Sequence, residues 1–339
     1  MLTVNEKTLA ISSPTGATRV TRRLGTDAAD LAAAGGLLAA GGLVAFPTET
    51  VYGLGADATN PQAIARLYAA KGRPSFNPLI AHVPDIASAL RLGDFPPLAL
   101  RLAEAFWPGA LTLVVPVPET SPVCELARAG LPSLAIRVPD HPVAEAILRA
   151  AGRPIAAPSA NRSGHISPTR PDHVLSDLAG IIDAIVEGGA TAIGVESTIL
   201  GCLDDAVVML RPGGISREAI EAVLGFPLAE GKDDSRAPVA PGRLSSHYAP
   251  EHALRLDAAQ IRPGEACLAF GLPLPEGADA ALTLNLSEQG DAAEAAANLY
   301  HHLRALDRLP AAGIAVAPIP GHGIGEAILD RLARAAAPR

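Results

Sequence analysis

Short apolar blocks separated by polar punctuation run the length of this chain, and their spacing predicts an α/β fold. Residues 43–46 form a buried apolar run that stops at Pro47, which reads as a strand. Further strands are expected over 79–83, 111–117, 133–138, 155–157, Ala184–Val186, 197–200 and 207–210. Helical spacing recurs over 27–40, 61–70, Pro97–Phe106, 141–151 and Arg217–Leu224. Asn60-Pro61 supplies an N-cap and a first-turn proline, and Gly72 a C-terminal stop. Between them the chain passes from an acceptor-rich strand end, Thr48-Glu49-Thr50, to a loop carrying Lys71 and Arg73. Gly53 and Gly55 read as a bend that lets a ligand approach the backbone.

The texture changes after Arg211. Pro212-Gly213-Gly214, one short helix and a polar Pro/Gly-rich stretch read as a linker over 213–247. Beyond it, strands over 254–256, 266–270, 281–286 and 313–317 alternate with helices over 291–309 and Gly325–Ala336. That pattern is a small βαβ-type unit. The expected division is a catalytic domain over 23–212, the linker, and a small α/β domain over 248–339, with an irregular lead-in before them.

Composition narrows the function classes. With 339 residues, 49% hydrophobic and 18% charged, the chain can bury two cores. Its net charge of −8 lacks the global cationic field of a nucleic-acid binder, although a local basic cleft stays possible. Cys124, Cys202 and Cys267 are widely spaced and odd in number, which supports neither a zinc site nor a disulfide framework. No signal core and no run of about 18 apolar residues occurs, so a soluble, cytoplasmic protein without a membrane role is expected.

Candidate chemistry sits in polar loops at strand ends. Lys71 and Arg73 are either helix-end cations or a phosphate-binding pair, one offering a point charge and the other a planar fork. Ser159-Ala160-Asn161, with Ser163, Gly164 and Ser167, is either turn chemistry or a lining of hydroxyl and amide groups. Arg137 interrupts an apolar strand and so requires an anion: an internal partner such as Glu196 or Asp140, or a ligand carboxylate. His82 on its own reads as a core histidine. The GxxxxGK[ST] loop is absent, and Gly321 to Glu326 has the wrong spacing for GxGxxG, so any ATP must bind without a Walker loop.

Taken together, residues 46–57, Lys71-Gly-Arg73 with Asn77-Pro-Leu79, Trp107-Pro-Gly109, 133–139, 158–161 with Ser163-Gly164 and Ser167-Pro-Thr169, Glu196-Ser-Thr198 and Leu210-Arg-Pro-Gly213 resemble the YrdC-like threonylcarbamoyl-AMP synthases. Pro241-Gly242, His247-Tyr-Ala-Pro250 and the small domain after them resemble the longer, two-domain form, although the linker is less basic than is common there. The resemblance implies a twisted mixed YrdC-like sheet plus a Rossmann-like C-terminal domain. It implies a nucleotidyltransferase that makes L-threonylcarbamoyladenylate and pyrophosphate from L-threonine, bicarbonate and ATP, with Mg2+ on the phosphates and no named protein ligand. The signature tetrad falls on Lys71, Arg73, Ser159 and Asn161. Threonine would be held by Thr50, His82, Arg137 and Ser197, and ATP by Arg73, Asn77, Ser133, Ser159, Ser167, Arg211 and Tyr248. The product would feed tRNA threonylcarbamoyladenosine formation through transient contact with the transfer machinery, with tRNA binding itself weak or indirect. The linker is expected to fold over the site, bringing Tyr248 to the nucleotide. Two other readings are a double-stranded RNA-binding protein without catalysis, disfavoured by charge, and a carbamoyl-adenylate-handling domain of the hydrogenase-maturation kind.

Overall fold

A computed structural model of the chain describes residues 20–203, 206–230 and 247–338. The start of the lead-in and residues 231–246 of the expected linker, including Pro241-Gly242, lie outside the described residues. The first domain runs β1 (Arg22–Leu24), α1 (Ala28–Ala39), β2 (Val44–Phe46), β3 (Gly53–Asp57), α2 (Pro61–Lys71), β4 (Ile80–His82), α3 (Ile86–Ala89), α4 (Pro97–Phe106) and β5 (Leu111–Pro116). It continues with β6 (Ser133–Arg137), α5 (Pro142–Ala151), β7 (Ile155–Ala156), α6 (Pro171–Leu178), β8 (Ala184–Val186), β9 (Thr198–Gly201), β10 (Val208–Arg211), α7 (Arg217–Leu224) and β11 (Ala229–Glu230). The described strands form one mixed sheet in the order β1-β8-β2-β3-β7-β4-β6-β5-β9-β10-β11. Antiparallel β3–β7 and β7–β4 pairs sit near its middle, and β4–β6 and β5–β9 are parallel.

The second domain holds β12 (Leu254–Arg255), β13 (Ala266–Ala269), β14 (Thr283–Asn285), α8 (Ala292–Leu306), β15 (Ile314–Val316) and α9 (Gly325–Ala336). Its strands are all parallel, in the order β12-β15-β13-β14. Helices α8 and α9 each turn an apolar stripe inward, as the spacing of their buried residues requires. Among the described residues no helix is long and apolar enough to cross a membrane. Cys202 and Cys267 are buried and Cys124 half-buried, all as free thiols.

The element that positions the site is α2. Asn60 accepts from the backbone of Gln62 and Ala63, Pro61 starts the helix, and Gly72 ends it at φ 59°, in the left-handed region. Capping at both ends fixes where Lys71 and Arg73 leave the helix.

Two expectations change. Gly53 and Gly55 do not make a bend; they lie in β3, which pairs antiparallel with β2. A Cβ on Gly55 would come within 2.8 Å of the Phe46 ring, so the glycine serves close packing. The linker also begins later than 213. Ile220, Leu224 and Leu228 are buried in the main core cluster of the first domain, so α7 and the chain after it complete that domain.

Candidate active site

The β2–β3 turn, the end of α2, the strands β4 and β6, the loop after β7 and the approach to β9 converge on one cleft. Three linked groups of side chains fill it.

The first group is cationic. Lys71 is buried, and its Nζ donates to the carbonyl oxygens of Ser159 and Asn161, each at 2.5 Å. Arg73 donates through Nε to the Asn77 carbonyl at 3.3 Å and through Nη2 to the Pro78 carbonyl at 3.0 Å. Neither cation has a carboxylate partner among the described residues. Burial, then the mutual repulsion of the pair, holds the Lys71 ammonium well below its usual range, and burial lowers Arg73 to about 10. Ser159 Oγ donates to Asn161 Oδ1 at 2.6 Å, while Asn161 Nδ2 donates to the carbonyls of Arg162 and His165. Lys71, Ser159 and Asn161 are therefore one bonded unit, and Arg73 is held separately on the Asn77 and Pro78 carbonyls. Both polar side-chain atoms of Asn77 are buried without a hydrogen-bond partner among the described residues.

The second group surrounds Arg137. Its Nη2 meets Glu49 Oε1 at 2.6 Å, its Nη1 meets Thr50 Oγ1 at 2.9 Å, and its Nε reaches the Gly109 carbonyl at 3.3 Å. The internal anion expected at Glu196 or Asp140 is thus Glu49, brought across by sheet order rather than by sequence proximity. Glu49 Oε2 is buried and has no hydrogen-bond partner among the described residues. His82, next in the register to Arg137, has its Nδ1 on the Ile80 carbonyl at 3.1 Å. Burial, reinforced by the Arg137 charge, pushes its imidazole down to about 3, so the ring is neutral.

The third group stands at the start of β9. Ser197 Oγ shares a hydrogen bond with Thr112 Oγ1 at 2.7 Å, and Arg211 donates to the Ser197 carbonyl at 2.8 Å. Ser167 Oγ donates to Glu196 Oε1 at 2.6 Å. Burial alone would raise the Glu196 carboxyl, but Arg331 and Arg211 together with the Ser167 hydroxyl bring it down to about 2.

Arg73, His82, Ser159, Glu196, Arg211 and Tyr248 line a cavity of about 50 Å³. That is far below the roughly 300–1,000 Å³ of small-molecule pockets, so the cleft is closed on itself. Tyr248 helps to close it: the ring is buried, with a left-handed backbone at φ 62°. It stacks on Tyr300 with centroids 5.7 Å apart. Ser133 is buried at the start of β6 but does not line this cavity. Larger cavities of about 680 and 520 Å³ lie around Asp85 and Arg149, lined by none of the expected site residues.

Sequence reasoning missed Tyr300 and Arg331 as parts of this region, and Glu49, named at the strand end, as the partner of Arg137. Arg331 left a readable signal: it falls on the apolar stripe of α9 with Ala327, Ile328, Leu332 and Ala335.

The profile of the Sua5–YciO–YrdC family, described as telomere recombination, matches residues 36–213. The chain belongs to this family. A second profile, described as the threonylcarbamoyl-AMP synthase C-terminal domain, matches residues 215–337. The threonylcarbamoyl-AMP synthase of Bacillus subtilis is 44% identical over 339 residues, covering 94% of this chain and 96% of that protein. The protein of the same name from Pyrococcus abyssi is 40% identical over 319 residues, with 89% and 92% covered. The crystal structure of P. abyssi Sua5 complexed with L-threonine matches at a TM-score of 0.85 and 36% identity, covering 94% of this chain and 97% of that one. E. coli YciO, at 21% identity and a TM-score of 0.51, shares the fold over 57% of this chain and 96% of its own.

Proposed function

We propose that the protein is a threonylcarbamoyl-AMP synthase, which joins L-threonine, bicarbonate and ATP into threonylcarbamoyl-adenylate with release of pyrophosphate. The observation that carries this reading is the pair Lys71 and Arg73: two buried cations that donate to backbone carbonyls and have no carboxylate partner among the described residues. Burying a cation without an anion is unfavourable, and a triphosphate supplies the missing charge. The carbonyls aim both groups beforehand, so little reorganisation is left for the reaction.

In this reading the threonine amine combines with bicarbonate to give a carbamate and water. A carbamate oxygen then attacks the α-phosphorus, a P–O bond forms, and the bond to the bridging β-phosphate oxygen breaks to release pyrophosphate. No side-chain nucleophile is needed, and the residues act by positioning and charge. Arg137, with Thr50, neutral His82 and Ser197, would orient threonine. Arg73, Asn77, Ser133, Ser159, Ser167, Arg211 and Tyr248 would hold ATP. The unpaired side-chain amide of Asn77 is suited to a ligand.

Magnesium would enter with the nucleotide, held by phosphate oxygens and water. The cleft carboxylates Glu49 and Glu196 are committed to arginines, and among the described residues no cluster fit to hold a metal ion occurs. A cavity of about 50 Å³ does not admit ATP, so the cleft would open for binding and close again to shield the mixed anhydride from water, with His247 and Tyr248 among the residues that line it. The product would pass in the cytoplasm to the machinery that modifies tRNA, with direct tRNA contact weak.

Pyrophosphate release measured with and without threonine and bicarbonate tests the reading, and turnover is expected only with all three substrates. Lys71→Ala and Arg73→Ala should each lower turnover about 10- to 150-fold, the worth of a charge-assisted hydrogen bond of roughly 1.5–3 kcal/mol. Circular dichroism should stay unchanged. A folded variant that keeps more than about half of the activity contradicts the assignment of that cation. Strong salt-sensitive RNA binding without threonine-dependent turnover would favour the RNA-binding alternative.

A further inference from the structure

The two domains meet on a face that combines apolar packing with buried ionic contacts. Val51, Ile166 and Val195 of the first domain belong to the same buried cluster as Leu299, Leu303 and Ile328 of the second. Glu196 stands in the middle of this contact, immediately before Ser197. Its Oε1 accepts from Ser167, while its Oε2 accepts from Tyr300 Oη at 2.9 Å and from Arg331 Nε at 2.8 Å. Two of the three donors therefore come from α8 and α9. Arg331 is 1% exposed, and its Nη1 also reaches Asp330 at 2.5 Å. Its guanidinium carbon lies 5.4 Å from the centroid of the Tyr248 ring, within cation–π range. One arginine of the second domain thus touches both Glu196 and Tyr248, and both of these line the small cavity of the cleft.

We propose that Arg331 is a positioning residue for the nucleotide end of the cleft, so that the second domain is a working part of the active site. The proposal rests on the synthase reading, which places ATP against Arg73, Ser167 and Arg211. Without Arg331, the buried Glu196 carboxylate loses its charged partner and must find another or take up a proton. Arg211, whose charge already acts on Glu196, is the cation at hand. An arginine drawn onto Glu196 is withdrawn from phosphate, Ser167 loses a fixed acceptor, and Tyr248 loses the charge on its face. The Arg137–Glu49–Thr50 group makes its bonds internally and to Gly109, without Arg331, and Ser197 keeps its Thr112 partner even where its bonds from Arg211 loosen. Damage at Arg331 should therefore reach ATP much more than threonine.

The experiment uses the full chain with Arg331→Met, Arg331→Lys and Tyr300→Phe. Arg255→Ala, which breaks an ion pair with Glu265 elsewhere in the second domain, serves as a control. ATP binding is followed by calorimetry, and KM for ATP and for threonine by pyrophosphate release. Arg331→Met should raise the Kd and KM for ATP about ten-fold and leave the KM for threonine within about two-fold. The lysine variant should fall between it and wild type, Tyr300→Phe should shift ATP alone by a smaller factor, and Arg255→Ala should change neither. Unchanged ATP binding in the folded variants, or equal shifts for both substrates, overturns the proposal. If Arg331→Met does not fold, Tyr300→Phe decides by the same split. Wild-type protein that releases no threonine-dependent pyrophosphate defeats the synthase reading instead, and ATP calorimetry on the variants still decides the role of Arg331. Wild-type protein that binds no ATP at all defeats both.

Discussion

Individual residues in this cleft are held in charge states that water would not give them, and that makes them sensitive to pH. Burial, with Arg137, pushes His82 down to about 3; burial, against the pull of Glu196 and helped by Arg73 and Lys71, does the same to His247. Both folded values lie below the ordinary 6.5. As pH falls below that point, the unfolded chain takes up protons that the folded chain refuses. The stability these neutral rings contribute is whole above 6.5 and is lost toward about 3, at about 1.4 kcal/mol per pH unit for each ring. Urea midpoints taken at about pH 7.5 and about pH 5.5 should therefore fall with acid, and the fall should be shallower in His82→Asn. A midpoint that stays flat across that window contradicts two neutral buried rings. The Arg137–Glu49 pair gives a second residue-scale outcome. Arg137→Met strands the buried Glu49 carboxylate and should lower stability by about 3–5 kcal/mol, whereas the double variant with Glu49→Gln should lose less than the two single losses added together. Strict additivity in urea denaturation would show that the contact contributes nothing specific. Arg137 was legible because a charge breaks an apolar pattern; Glu49 was not legible as its partner because it lies 88 positions away in sequence and meets Arg137 only through the fold.

Elements were legible where local chemistry decides them. Asn60, Pro61 and Gly72 mark α2 in the sequence, and the structure uses each as a cap or first-turn residue. Strand β3 was hidden because its two glycines carry no side chain to show a period of two, and the reason for Gly55 is the Phe46 ring on a neighbouring strand. Helix α7 was placed correctly but assigned to a linker, since Pro212-Gly213-Gly214 before it resembles a boundary; only packing against the first core shows where it belongs. The α2 caps make a prediction at this scale. Asn60→Ala removes the acceptor for the Gln62 and Ala63 amides and should lower stability by about 1 kcal/mol. Lys71 and Arg73 at the other end stay tied to their carbonyls, so turnover per folded molecule should hold. A large loss of kcat with an unchanged urea midpoint would mean that the cap acts on the site and not on the helix.

At the scale of the whole molecule, the alternation of strands and helices after residue 253 announces a second domain, but nothing in that pattern says how closely it must dock. Gly194 does. Its φ is +80°, and a Cβ there would lie 2.3 Å from the Ala296 carbonyl oxygen and 2.4 Å from the Ala297 Cα. Both are backbone atoms of α8, which cannot rotate aside as a side chain could. Gly194→Ala therefore adds left-handed strain of about 1–2 kcal/mol to an overpacked contact typically worth about 1–3 kcal/mol. The φ strain stays with the backbone of residue 194, while the overlap is relieved by separating this loop from α8. Tyr300 sits on that helix and Glu196 lies two residues beyond Gly194, so separation lengthens the Tyr300–Glu196 bond first. The expected outcome is a lower urea midpoint, with weakened ATP binding and a KM for threonine that changes little. The added methyl points at α8 and not into the cleft, although the Gly194 N–H donates to the Thr50 carbonyl at 3.1 Å, so an unchanged KM for threonine is the control that this bond has held. Unaltered stability and unaltered ATP binding in Gly194→Ala would show that α8 yields without cost and that domain docking does not govern the site.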